Sequence, residues 1–195
     1  MSSTHFQAER LSNQAAHSLN PDGTKAGQSY WTPETFGPAT ESHATIAVLP
    51  GGTTGVAVWA RIQNPNNATT MAAYLGVYTN GTGWRLFKVT AGATFAQIGS
   101  TDATVAVAGD GIWLQCIGTT IRLFHFTGGL WVERCSGLDS AITAAGYIGM
   151  EFSIGSPNAG RLDDFGGGTI TAAVGVSDYL TFPKAKLRTQ RRVLV

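Results

Sequence analysis

Seven side chains in four apolar-rich stretches have the chemistry to hold a flat, hydroxyl-bearing molecule. They are Trp59 and Arg61 in "GVAVWARI", Trp113 and Gln115 in "IWLQCI", Arg122 in "IRLFHF", and Trp131 and Glu133 in "LWVER". Indole rings offer flat apolar faces on which sugar rings stack, and Arg, Gln and Glu can fork onto hydroxyls. Trp and Arg also mark surfaces where proteins meet. The seven are therefore candidates for glycan binding or for an interface.

Other chemistry is sparse. Asp163 and Asp164 are adjacent in "GRLDDFGGG". Neighbours on a strand point to opposite faces, so they do not form a same-face pair. They have two readings. With carbonyls of Gly155 to Asn158 they could bind calcium, which wants several oxygen ligands. Carboxylates near turns more often serve local backbone amides, and that reading is preferred. Glu151 is the lone carboxylate of "YIGMEFSI", and His5, His17, His43 and His125 are isolated in sequence. There is no Gly-x-Ser-x-Gly and no phosphate-binding loop. The two cysteines, Cys116 and Cys135, lack metal-type spacing. The expectation is a non-enzyme with no cofactor.

These residues sit on elements of one kind. Charged residues are only 13% of the chain and glycines number 25, a composition of short strands and tight turns. "HATIAVL", "GVAVWARI", "MAAYLGVY", "WRLFKV", "IWLQCI", "IRLFHF", "LWVER" and "YIGMEFSI" have strand length. Turn signals separate them, among them Pro50-Gly51-Gly52, Asn64-Pro65-Asn66-Asn67 and Gly109-Asp110-Gly111.

If Gly118-Thr119 and Gly128-Gly129 close two successive hairpins with type II′ turns, the faces follow, because opposed residues share a face. Ile112, Leu114, Cys116, Ile121, Leu123 and Val132 point to the core. Trp113, Gln115, Arg122, Phe124, Phe126, Trp131 and Glu133 point away. Val56, Val58, Ala60 and Ile62 go in, with Trp59 and Arg61 out. Ile148, Met150, Phe152 and Ile154 go in, with Tyr147 and Glu151 out. A slip of one residue would exchange the faces. In this register Cys116 and Cys135 lie on opposite faces with a strand between theirs, too far apart to bridge, so both are expected as free thiols.

The 195 residues suffice for one domain. Residues 1–27 read as a polar arm, with room for one helical turn before Asn20-Pro21-Asp22-Gly23. Residues 28–169 read as the sandwich, and 170–195 as a connector and basic tail. Five of the 13 bases, Lys184, Lys186, Arg188, Arg191 and Arg192, fall in that tail. Eight bases against 12 acids remain, so the body is mildly acidic, which argues against nucleic acid. No export signal is visible at the N-terminus, and the most apolar stretch is too broken to cross a bilayer as a helix.

The order of segments resembles the concanavalin A-like lectin/glucanase superfamily, in its laminin-G-like and lectin-like branches. The carrying stretches run from "SYWTPETFGPATESHATIAVLP" through "GVAVWARIQNP", "AAYLGVYTNGTGWRLFKV" and "GDGIWLQCIGTTIRLFHF" to "GYIG" and "GRLDDFGGGT". They cover roughly Gln28 to Thr169. The resemblance implies an all-β jelly-roll sandwich of two antiparallel sheets, one convex and one concave, the concave one often binding glycans. Glucanases of the superfamily carry E-x-D-x-(x)-E on one strand, which supplies the carboxylate pair that glycoside hydrolysis needs. No strand here has it.

The expectation is thus a non-catalytic jelly-roll module. Its first setting is a bacteriophage virion, as a capsid-decoration or tail-associated protein held by its terminal arms, with glycan binding as a second role. Copies of itself or other virion proteins would be its partners. The alternative is a free-standing, extracellular carbohydrate-binding module.

Overall fold

The computed structural model describes residues 8–11, 14–17, 27–52, 54–67, 69–91, 94–152 and 160–171. Among them there is no helix, and the chain forms strands throughout. These are β1 (Ala8–Leu11), β2 (Gln14–His17), β3 (Gly27–Tyr30), β4 (Thr40–Val48), β5 (Gly55–Gln63), β6 (Ala72–Thr79) and β7 (Gly83–Thr90), followed by β8 (Thr94–Asp102), β9 (Gly111–Ile117), β10 (Thr120–Thr127), β11 (Leu130–Leu138), β12 (Tyr147–Phe152) and β13 (Arg161–Thr169). Two antiparallel sheets pack face to face in a jelly-roll sandwich. One has seven strands in the order β1-β2-β13-β4-β9-β10-β11, and the other six in the order β3-β12-β5-β6-β7-β8.

Alternation drives this arrangement. On β4, Ser42, Ala44 and Ile46 are buried while Glu41, His43 and Thr45 face away. Ile46, Val56, Val58, Leu86, Ile112, Leu114, Ile121, Leu123 and Leu162 are fully buried between the sheets. Each large aliphatic buried there contributes about 1.5–3 kcal/mol. The six-stranded sheet carries a second apolar cluster on its outer face, made of Ala57, Trp59, Ile62, Ala73, Leu75, Val77 and Val89. That is why β5 and β6 are buried on both faces.

Three bulges change the faces that simple alternation predicts. On β5, Ala60 opposes Tyr74 and Gln63 opposes Ala72, and Arg61 takes the left-handed conformation at φ 52°. Past this point the phase flips. Ile62, expected beside Val56, Val58 and Ala60, joins the outer cluster instead. On β11, Leu123 opposes Cys135 but Phe124 opposes Glu133, so Arg134 is the extra residue. Cys135 therefore shares the core face with Cys116, not the opposite one. Both cysteines are free and buried, and burial pushes the Cys116 thiol up to about 12. Val132 pairs with His125 on the core side, yet it lies on the last strand of its sheet and stays 36% exposed.

On β13 the bulge spans Asp163 to Gly166, with Asp164 at φ 50°. It lets Leu162 and Phe165 both turn to the core although they are three residues apart. On β12 the predicted phase holds. Met150 and Phe152 pack in the main core, and Glu151 faces the other way, although it is buried there.

The turns differ in one detail. Gly118 alone has positive φ in the first hairpin, whereas Gly128 and Gly129 both do, the pattern of type I′ rather than II′. In the N-terminal arm, Gln14–His17 is a strand paired to β13 through Leu162 and Arg161, not a helical turn. Ile154, the Gly155–Asn158 carbonyls and the basic tail lie outside the described residues.

Candidate binding site

The outer face of the seven-stranded sheet brings five of the seven expected residues together. In register, Glu41 opposes Gln115 and Gln115 opposes Arg122, while His43, Trp113, Phe124 and Glu133 form the next row. Thr45, Gly111, Phe126 and Trp131 form a third. The rings interlock across these rows. Trp113 stacks on Phe124 at 4.7 Å and 28°, and Trp131 leans on Phe126 at 5.1 Å. Trp113 and Trp131 meet nearly edge to face, 5.3 Å apart at 64°.

A hollow of about 190 Å³ opens between these indoles, lined by Glu41, His43, Trp113 and Trp131. That is small beside the roughly 300–1,000 Å³ of pockets for drug-sized ligands, and suits a single ring. The Trp113 indole N–H donates to Glu41 Oε2 at 3.1 Å, which fixes both ring and carboxylate. Burial holds His43 below its ordinary pKa, against the opposing pull of the Glu41 and Asp164 carboxylates, so the imidazole is neutral at pH 7. At the far end Arg122 Nε lies 3.6 Å from Glu133 Oε2, a solvent-exposed pair.

Two glycines make room for the rings. A side chain at Gly111 would put its first carbon 2.8 Å from the Trp131 ring and 2.9 Å from Phe126 Cβ. One at Gly166 would meet His43 Nε2 at 2.9 Å. Neither contact is tolerated without movement of the ring.

Trp59 and Arg61 do not belong to this face. Trp59 lies on the outer face of the six-stranded sheet, in the second apolar cluster and 3% exposed. Arg61, aimed inward by its bulge, is fully buried. Its Nε donates to Pro38 O at 2.7 Å and its Nη1 to Ile142 O at 2.8 Å, and its guanidinium sits over Tyr74. It ties loops to the end of the core and offers nothing to a ligand.

Glu41 and His43 were not among the sequence candidates. The signal was the alternation of "TESHATIAV", which sets both on the face of Trp113; polar residues there read as an ordinary solvated edge. Asp163 accepts the backbone N–H of Asp164 at 2.9 Å, the local role expected of the pair. This segment packs along β4, and its end meets the start of the sandwich, where Gly168 lies near Phe36 and the Gly37 N–H donates to Thr169 Oγ1 at 2.8 Å. Among the described residues no three His, Cys, Asp or Glu side chains gather as metal ligands. Glu41 on β4 and Glu133 on β11 are separated by two strands, β9 and β10.

The sequence matches no protein-family model and no curated protein. The fold matches solved structures. A carbohydrate-binding module, CBM66 of Bacillus subtilis, aligns with TM-score 0.63 and 11% identity over 84% of this chain and 91% of that one. A legume lectin-like domain from Entamoeba histolytica aligns with TM-score 0.59 and 9% identity over 85% and 88%. The exoplasmic/lumenal domain of VIP36, in a Ca2+/Man-bound form, aligns with TM-score 0.57 and 11% identity over 81% and 78%. At these identities the likeness is one of fold.

Proposed function

We propose that the chain is a carbohydrate-binding module, with its site on the outer face of the seven-stranded sheet. The observation that carries this reading is the hollow between Trp113 and Trp131, where two indoles set at an angle meet the polar groups of Glu41 and His43. An indole face accepts the C–H face of a sugar ring, and a carboxylate and an imidazole at its rim accept and donate hydrogen bonds to hydroxyls. Gln115, Arg122 and Glu133 continue the polar groups across the neighbouring strands, for further units of a chain. The fold shared with a carbohydrate-binding module and with the Ca2+/Man-bound exoplasmic/lumenal domain of VIP36 supports the same reading by analogy. The role is binding, and it fits the extracellular alternative. The virion setting rests on the terminal arms, and the basic residues of the C-terminal tail lie outside the described residues.

A panel of oligosaccharides titrated calorimetrically tests the reading. Trp131→Ala, at the mouth of the hollow, should cost about 2 kcal/mol or more of binding, some thirtyfold in affinity. Arg61→Lys should leave affinity alone. Sugar binding that ignores Trp131 and Trp113 would move the site elsewhere.

A further inference from the structure

We propose that the hollow selects a sugar bearing a free, protonated amine, a glucosamine-type unit, over its neutral, N-acetylated or acidic counterparts. The inference rests on the glycan reading above and adds the charge of the ligand. Glu41 stands at the lip of the hollow with Oε2 held by the Trp113 indole. Among the described residues no lysine or arginine pairs with its carboxylate. Arg122, opposite Gln115 on this face, is engaged by Glu133. Asp164, on the neighbouring strand, adds negative charge close enough to act on His43. His43 is held neutral by burial and so does not offset these carboxylates.

The aromatic walls point the same way. Trp113 and Trp131 meet nearly edge to face at 64°, so a group in the hollow they line lies against indole surface beside the Glu41 carboxylate. A cation over an indole face is attracted by the ring's electron distribution, most strongly for Trp. An indole wall and one fixed carboxylate are a site for an ammonium group. The hollow of about 190 Å³ leaves space for one ring carrying it. Acetylation removes the charge and adds bulk. A carboxylated sugar meets Glu41 and Asp164 with like charge.

The test uses the full chain and four oligomers of similar length: glucosamine, N-acetylglucosamine, glucose and galacturonate, titrated calorimetrically at low salt. The expected result is at least tenfold tighter binding of the glucosamine oligomer, lost as salt is raised. Glu41→Gln should bring its affinity down to that of the glucose oligomer. Equal or tighter binding of the neutral or acetylated oligomers by the unmodified protein overturns the amine preference and leaves the glycan reading standing. Binding of none of the four, with Trp113 and Trp131 unperturbed, overturns both. A trimethyl-lysine peptide that binds in place of every sugar also overturns both, and assigns the aromatic corner to a peptide. The comparison among oligomers needs no variant, so it stands even if Glu41→Gln fails to fold.

Discussion

Glu151 shows how one buried group ties stability to pH. It is 8% exposed on the outer face of the six-stranded sheet. Burial pushes its carboxyl from the ordinary 4.5 up to about 7, although Gln28 and Trp59 pull it back. The Trp59 N–H and Glu151 Oε2 do not close a full hydrogen bond, so the carboxylate is poorly compensated. The folded state thus holds a proton that the unfolded state has released. The contribution of Glu151 is fully present below about pH 4.5 and is lost as pH rises through about 7. Glu151→Gln should remove this slope and make the protein more stable at pH 8, by up to roughly 3 kcal/mol. Urea denaturation at pH 5 and pH 8 measures it; parallel losses in both proteins would refute the assignment. Trp113 and Trp131 could be read from the sequence because an indole at an outward position of an apolar strand is conspicuous. Glu41 and His43 could not, because a carboxylate and an imidazole at the same spacing look like any wetted surface. His125 was equally silent. It is buried, bonded through Nε2 to Asp110 at 2.7 Å, and stacked on Trp84.

Among the elements, the strands with one clean apolar face were legible and their irregularities were not. β9 and β10 follow the predicted alternation from end to end, and their turn sits at Gly118-Thr119 as expected. The bulges in β5, β11 and β13 were invisible, since one extra residue leaves composition unchanged while exchanging the faces beyond it. Arg61 is the consequence: its position in the alternation says surface, and its left-handed backbone turns it into the core. β8 left no signal because it is an edge strand on which Ile98 is the buried residue. β9 supplies a prediction of its own. Gly111 lets Trp131 lie across its backbone. Gly111→Ala should displace that ring, at a cost in stability of about 1–3 kcal/mol and a larger relative loss of sugar affinity. A thermal melt and a titration read the two separately. Unchanged affinity would mean that Trp131 does not need its seat on β9.

At the scale of the molecule, the two-sheet all-β plan was legible because turn signals recur between short apolar stretches, and the order of those stretches resembles a known superfamily. What the sequence did not reveal is that the expected aromatic surface is two surfaces. Trp59 and Trp113 lie on the outer faces of different sheets, with the whole core between them. The register of each strand was argued locally, and nothing local says which sheet a strand joins. The central claim, that the Trp113–Trp131 face is the binding face, is tested most directly by following the five indole N–H signals in an NMR titration with an oligosaccharide, each assigned by Trp→Phe replacement. The account predicts that the Trp113 and Trp131 signals shift together with saturation while those of Trp59 and Trp84 stay in place. Shifts at Trp59 with Trp113 and Trp131 unmoved would contradict it and transfer the site to the six-stranded sheet.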